Sequence, residues 1–210
     1  GGSLREYTDI STILEGFEGE VKIRGWLHHK RSSGGVVFWI VRDGTGFIQC
    51  TLHKEDFPDL KELEKLPVES VVEVEGISRK DERAPECYEI RAKKVKVLSR
   101  AMEDFPIAKK YHGPAFLLDH RHLWIRSRKM HSVMKVRAEI LKAARKWFDD
   151  HGFIEVHPPI IVSAACEGGS TLFEIKYFDT KAYLTQSWQL YGEAFISAVG
   201  KCYTIAPSFR

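Results

Sequence analysis

Over the first hundred positions apolar residues come in short runs that alternate with polar ones. Val21-Lys22-Ile23-Arg24-Gly25-Trp26-Leu27 alternates in character, and Gly46 to Leu52 and Val71 to Glu75 make further β-prone runs. Val36 to Arg42 is almost continuously apolar. Runs of this length, rich in β-prone residues and bounded by turn residues such as Asp43-Gly44-Thr45, predict strands. Tyr88 to Val97 supplies a fifth, in which Tyr88, Ile90 and Ala92 share a face before Val95 and Val97 take over. The phase slip at Lys93-Lys94 predicts a β-bulge, the one-residue insertion that moves a strand's apolar set back into register. Between the third and fourth runs, Phe57, Leu60, Leu63 and Leu66 recur every three residues among charges. Pro58 suits a first helical turn, so one helix is expected there.

Five strands with a helix between the third and fourth is the order of an OB-fold barrel, which binds oligonucleotides on the face of its second and third strands. Lys30-Arg31-Ser32-Ser33-Gly34-Gly35 reads as a basic, flexible loop after the first strand. With Arg24, His28 and His29 it offers cations to a phosphate backbone, although a solvated hairpin accounts for the same residues equally well. The second strand is too uniformly apolar for alternation to separate its two faces.

From Phe105-Pro106 through Lys109-Lys110 to Gly113-Pro114 no period survives, and residues 101–126 read as a linker between a domain at 1–100 and another beginning at 127. Beyond Ser127 the period becomes helical: Met130, Val133, Met134, Ile140, Leu141, Ala144, Trp147 and Phe148 form one stripe that ends at Gly152. An extended Phe153 to Val162 follows, containing Pro158-Pro159. Then come a glycine-containing loop at Cys166 to Ser170, short strands at Phe173 to Tyr177 and Ala182 to Thr185, a helix from Ser187 to Val199 and a last strand from Cys202 to Arg210. The fold class expected is therefore α+β, a five-stranded barrel followed by helices and a second sheet.

Composition narrows the picture only slightly. A net charge of +3 fits a nucleic-acid partner and a solvated surface alike. No run is apolar and long enough to span a membrane. The four cysteines, Cys50, Cys87, Cys166 and Cys202, show no metal-like spacing, nor do the histidine pairs His28-His29 and His120/His122, so no metal ligands are assigned. Free thiols are the simplest reading and point to the cytoplasm. The opening Gly1-Gly2-Ser3 reads as a tag remnant or a trimmed end.

Three strings are more specific: EGGSTLFEIKYF at 167–178, YLTQSWQLYGEA at 183–194 and YTIAPSFR at 203–210. In order and spacing they resemble the class II aminoacyl-tRNA synthetases of the subclass containing the aspartyl, asparaginyl and lysyl enzymes. The helix and Pro-Pro strand at 127–162 resemble that class's motif 1, RHLWIR at 121–126 resembles the subclass's junction with its catalytic domain, and DERAPECYEI at 81–90 is similar to archaeal-type members. The resemblance covers about residues 15–210 and implies an anticodon-binding barrel, then part of an antiparallel-sheet catalytic domain that breaks off within motif 2.

It also implies roles. Glu167, in a loop freed by Gly168-Gly169, would bind the substrate ammonium, with Ser170 in the same loop; without the resemblance Glu167 is an ordinary solvated loop glutamate. Gln186 and Gln189, whose amides both donate and accept, would line the amino-acid pocket; the residues alone read equally as a helix start and a solvent-facing helix position. Arg210 would be the motif 2 arginine, its planar fork on the substrate carboxylate and the ATP α-phosphate. Pro159 would reach across a homodimer interface. On the barrel, Arg31 stands seven residues before Phe38 and Gln49 eleven after it, the family's intervals for anticodon recognition; the residues alone leave Phe38 as a core residue equally well.

Within the subclass, aspartyl enzymes carry a lysine where this chain has Gly192, and that lysine pairs with the aspartate side chain. Its loss removes a charge-assisted contact of about 1.5–3 kcal/mol, which implies an asparagine–tRNA ligase using L-asparagine, ATP and tRNA(Asn). On this reading a lysine restored at 192 raises the affinity for aspartate. Trp188 departs from the smaller residue expected before Gln189. A non-discriminating aspartyl/asparaginyl enzyme, an asparagine-synthetase-like paralogue and a non-catalytic tRNA-binding fragment remain as alternatives. The remainder of motif 2 and motif 3, with the Mg²⁺ ligands, are expected beyond residue 210, so these 210 residues are expected to be inactive alone, their second domain half-formed.

Overall fold

The computed structural model describes residues 6–163 and 172–210, which divide into two compact units, Gly1–Tyr111 and His112–Arg210.

In the first unit β1 (Gly19–Ser33), β2 (Val36–Arg42), β3 (Phe47–His53), β4 (Val71–Lys80) and β5 (Tyr88–Ser99) close into a barrel of order β1-β2-β3-β5-β4. Neighbours are antiparallel except β3 and β5, which run parallel, and β4 pairs back to β1. A short α2 (Leu60–Glu64) lies between β3 and β4, as the leucine spacing requires. The inward-facing residues Ile23, Leu27, Val37, Trp39, Val41, Ile48, Leu52, Val72, Val74 and Ile90 are fully buried. A helix the sequence pattern did not suggest, α1 (Ile10–Leu14), adds Ile10 and Ile13 to the same core.

Three irregularities shape the barrel, one of them at the start of β4, where Val71 faces Ser99 while Val72 faces Val97. On β5, Glu75 faces Lys94 while Gly76 faces Ala92, leaving Lys93 as the inserted residue at the expected phase slip. On β1, Leu27 faces Val41 while His29 faces Ile40, so His28 is a second bulge. The expected flexible loop at 30–35 is mostly strand. β1 runs on to Ser33, paired with Val36, and only Gly34-Gly35 turn the chain. Their φ values of 56° and 80° fit a type I′ hairpin, whose twist matches the flanking strands and which glycine enters without a Cβ clash. Pairing with β2 overrides the polar composition that read as loop.

The second unit opens with two short helices, α3 (Pro114–Asp119) and α4 (Arg121–Trp124), inside the stretch that read as linker. The long α5 (Arg128–Asp150) follows, its start capped by Ser127, whose hydroxyl accepts from the Met130 N–H at 3.3 Å. β6 (Ile154–Glu155) pairs parallel with β10 (Cys202–Tyr203). β7 (Ile161–Val162), β9 (Thr180–Leu184) and β8 (Glu174–Tyr177) form an antiparallel sheet in the order β7-β9-β8. α6 (Gln189–Val199) connects β9 to β10 and stops at Gly200. The expected strand from Cys202 to Arg210 is regular only over its first two residues. Beyond them the chain is held by isolated bonds, such as Phe209 N–H to the Thr185 carbonyl at 3.0 Å.

Glu155 joins three elements of this unit. It accepts from Arg145 on α5 at 3.0 Å, from Tyr203 on β10 at 3.0 Å, and pairs with His157 at 2.8 Å. The hydrogen bond to His157, then those to Arg145 and Tyr203, hold its carboxyl down at about 2. Burial first, and then the Glu155 hydrogen bond, push the Tyr203 phenol up to about 12. Phe148 of α5 stacks on the Tyr203 ring with centroids 4.3 Å apart, so the long helix is fixed to the strand that leads toward Arg210.

Candidate nucleic-acid face and amino-acid pocket

Val37, Trp39 and Val41 point into the barrel, which turns Val36, Phe38, Ile40 and Arg42 outward. This assigns Phe38 to the outer face, a matter the apolar sequence of β2 had left open. Arg31 on β1 stands opposite Phe38, and its guanidinium carbon lies 3.9 Å from the centre of the Phe38 ring. On the other side Phe38 faces Thr51, whose buried hydroxyl has no hydrogen-bond partner among the described residues.

One row along, Ile40 faces Gln49, and Gln49 lies beside Glu89 of β5. The Gln49 amide donates to Glu89 Oε2 at 3.4 Å, while Arg79 Nε and Nη2 donate to Glu89 Oε1 at 2.9 and 2.6 Å. Arg31, Phe38 and Gln49 therefore share one face across three strands, with Arg31 and Phe38 in contact and Gln49 on the adjoining row. Glu89, a buried carboxylate on that row, escaped the sequence reading. A charged residue inside an apolar run was its only mark, and that mark does not say which face it takes.

The same face continues to Arg42. Its guanidinium forks onto the Glu69 carboxylate, lies 3.1 Å from His28 Nδ1 and stands 5.4 Å from the Trp26 ring. His28 meets Phe47 edge-on at 4.9 Å. Of the other basic candidates, Arg24 stacks over Tyr7 at 4.4 Å. Burial, with the cations Lys109 and Arg31, lowers the pKa of His29 and favours its neutral form. Lys30 donates to the Glu64 carbonyl and Ser32 to its carboxylate, so α2 holds the β1–β2 hairpin in place. A preformed face that joins an aromatic ring to hydrogen-bonding side chains is suited to unstacked bases, which offer a π-face and a polar edge.

In the second unit the turn from β9 into α6 gathers the other candidates. Thr185 donates its N–H to the Ile160 carbonyl at 2.8 Å, accepts from Phe209 and bonds through its hydroxyl to the Ser187 carbonyl at 2.7 Å. The Gln186 carbonyl accepts from Ser208 Oγ at 2.5 Å and from Arg210 Nε at 3.4 Å. Ser187 Oγ accepts the N–H of Gln189, the first residue of α6. Gly192 follows within a helical turn and is buried. Gln186, Gln189, Gly192 and Arg210 thus lie around one strand-to-helix turn. Pro159 is exposed between β6 and β7. Glu167 and Ser170 lie outside the described residues.

Comparison with known proteins follows the same division. Residues 113–210 match the class II tRNA synthetases (D, K and N), and residues 21–98 match the OB-fold nucleic acid binding domain. An asparagine–tRNA ligase of Desulforamulus reducens is 47% identical over 192 residues, covering 91% of this chain and 44% of its own length. One of Thermus thermophilus is 43% identical over 204 residues, covering 96% and 47%. Among solved structures, asparaginyl-tRNA synthetase from Pyrococcus horikoshii complexed with asparaginyl-adenylate superposes with a TM-score of 0.87 at 40% identity, covering 99% of this chain and 49% of that one. The chain spans about half the length of the relatives it matches.

Proposed function

Since this chain belongs to the class II tRNA synthetases of the D, K and N group, joined to an OB-fold nucleic acid binding domain, we propose that the whole protein is an asparagine–tRNA ligase. It activates L-asparagine with ATP and transfers it to tRNA(Asn). The observation that carries the reading is the meeting of Arg210 with Gln186 at the turn into α6, beside a Gly192 that has no charge to offer a side-chain carboxylate.

In the first step the asparagine carboxylate attacks the α-phosphorus of ATP and pyrophosphate leaves, giving asparaginyl-adenylate. Arg210 directs its fork at that carboxylate and at the α-phosphate oxygens, where charge builds in the transition state. Gln186 and Gln189 hold the amino acid by their amides, and Glu167, with Ser170 in the same loop, takes the ammonium. In the second step a terminal hydroxyl of the tRNA attacks the activated carbonyl and AMP leaves. Among the described residues no three His, Cys, Asp or Glu side chains gather as a metal site.

The barrel reads the anticodon, with Phe38 stacking on the central base and Arg31 and Gln49 beside it. Exposed apolar residues on α5 support a homodimer: Val133, Val136 and Ile140 remain 45%, 60% and 63% exposed, and Pro159 is exposed as well. No helix of the described residues is long and apolar enough to cross a membrane. The free thiols of Cys50, Cys87 and Cys202 support a cytoplasmic location.

ATP–pyrophosphate exchange by the full-length protein tests the catalytic half. A missing cation at position 192 is expected to favour asparagine over aspartate by about 10–150-fold, the equivalent of the lost charge-assisted contact. Equal rates would establish a non-discriminating enzyme, and exchange with neither would remove the ligase reading. Phe38→Ala tests the barrel. Loss of one base stack should weaken binding of an anticodon stem-loop by about 5–150-fold and leave exchange alone. An unchanged affinity sinks the assignment of Phe38.

A further inference from the structure

Trp188 stood out in the sequence as too large for its place, and the structure shows where its bulk goes. The residue precedes α6, and its carbonyl accepts the Gly192 N–H at 2.7 Å, closing the first helical turn. Its indole folds back over the same turn. A Cβ at position 192 would sit 3.2 Å from Cε3 and from Cζ3 of that ring, and 3.4 Å from Cδ2. Gly192 is the one buried residue of α6, while Leu190, Tyr191 and Ile196 of the same helix are exposed.

A methyl group at 192 would therefore press on the six-membered ring of the indole, which would have to give by a few tenths of an ångström, and a longer side chain leaving in that direction would have to displace the ring. The glycine and the indole occupy one volume between them. What a side chain at 192 would present to the pocket is replaced by an aromatic face, uncharged and carrying the negative side of the ring quadrupole. Such a face disfavours a carboxylate and accepts an amide N–H.

We infer that Trp188 and Gly192 form a single specificity element, in which the indole laid on Gly192 walls the amino-acid pocket against a side-chain carboxylate and admits a carboxamide. The inference rests on the placement of Gly192 at the amino-acid pocket proposed above. It also revises the expectation that a lysine at 192 is enough to admit aspartate, since the indole stands in that lysine's path.

The test is a two-residue cycle in the full-length enzyme, read as kcat and KM for asparagine and for aspartate in pyrophosphate exchange. Gly192→Lys alone should lose about tenfold or more in kcat/KM for asparagine through overpacking and gain nothing with aspartate. Trp188→Ala with Gly192→Lys should raise aspartate kcat/KM by about tenfold or more over Gly192→Lys, because neighbours in contact do not act additively. Gly192→Ala keeps the test open if the lysine variant does not fold: it should raise the asparagine KM several-fold beside Trp188 and raise it much less in a Trp188→Ala background. Effects of 188 and 192 that simply multiply, in a wild type selective for asparagine, overturn this inference alone. So does a Gly192→Lys variant that gains aspartate as well as the double variant does. A wild type that uses aspartate as readily as asparagine overturns the substrate reading and this inference together.

Discussion

Replacing Arg42 by alanine should speed amide exchange in β2 and β4 of the full-length protein by about 10²–10⁴-fold, the equivalent of roughly 3–5 kcal/mol for breaking a buried ion pair from one side. Nη1 and Nη2 of Arg42 donate to Oε1 and Oε2 of Glu69 at 2.6 and 2.7 Å, and the two side chains are only 8% and 9% exposed. Alanine would leave the Glu69 carboxylate desolvated with its strongest partner gone. Glu69 is also held at φ 74°, a left-handed conformation that a residue with a Cβ enters at a cost of about 1–2 kcal/mol. That strain is sustained by the ion pair and by the backbone around it: Glu69 N–H donates to the Leu27 carbonyl at 2.7 Å, and Leu27 N–H to the Ser70 carbonyl at 2.9 Å.

The pair thus closes the α2–β4 connection onto β1 and β2 at one end of the face that carries Phe38. Its removal from both sides should be milder. Arg42→Met with Glu69→Gly leaves no charge unpaired and puts glycine where φ is positive, so most of the protection should return. A double variant that exchanges as fast as Arg42→Ala would show that the contact itself, and not the stranded carboxylate, carried the stability.

The barrel was legible where apolar residues alternate and opaque where they do not. The strand count, the helix between β3 and β4 and the bulge at Lys93 all follow from periodicity, because a half-buried strand has to place every second side chain in the core. β2 gives no such signal: its outer residues Ile40 and Arg42 are nearly as buried as its inner ones, so the side taken by Phe38 is set by strand pairing and not by any alternation in the sequence. β1 misleads in the other direction. Past the His28 bulge its residues are polar, and only pairing with β2 keeps them in a strand. The close approach of the Trp188 indole to Gly192 could not be read either, since contact across a helical turn depends on the rotamer that the indole adopts. In the second unit, the motif strings single out Gln186, Gln189 and Arg210 as candidates, but not that Ser208 and Arg210 both hang from the Gln186 carbonyl. That convergence is a product of the path of residues 203–210, which leaves regular pairing after Tyr203.

Arg210→Ala should cut asparagine-dependent pyrophosphate exchange by the full-length enzyme by about 10²–10³-fold, in line with the roughly 2.7–4 kcal/mol that one preorganised donor contributes to a developing oxyanion. The structure gives Arg210 an anchor, its Nε on the Gln186 carbonyl at 3.4 Å, a bond that uses neither terminal nitrogen; in the role proposed for Arg210 those nitrogens take the substrate carboxylate and the α-phosphate. The loss should fall mainly on kcat, because charge on the phosphate oxygens is greatest in the transition state. Arg210→Lys should recover only part of it: a lysine restores the charge but not the planar fork that engages two oxygens at once. Binding of an anticodon stem-loop should stay within about twofold of wild type, since its affinity rests on the barrel's phosphate and base contacts. An Arg210→Ala enzyme that retains a tenth or more of its exchange would move the stabilising cation elsewhere in the catalytic site. One that loses stem-loop binding as well would mean that the substitution had unfolded the protein, and the Lys variant would then carry the comparison.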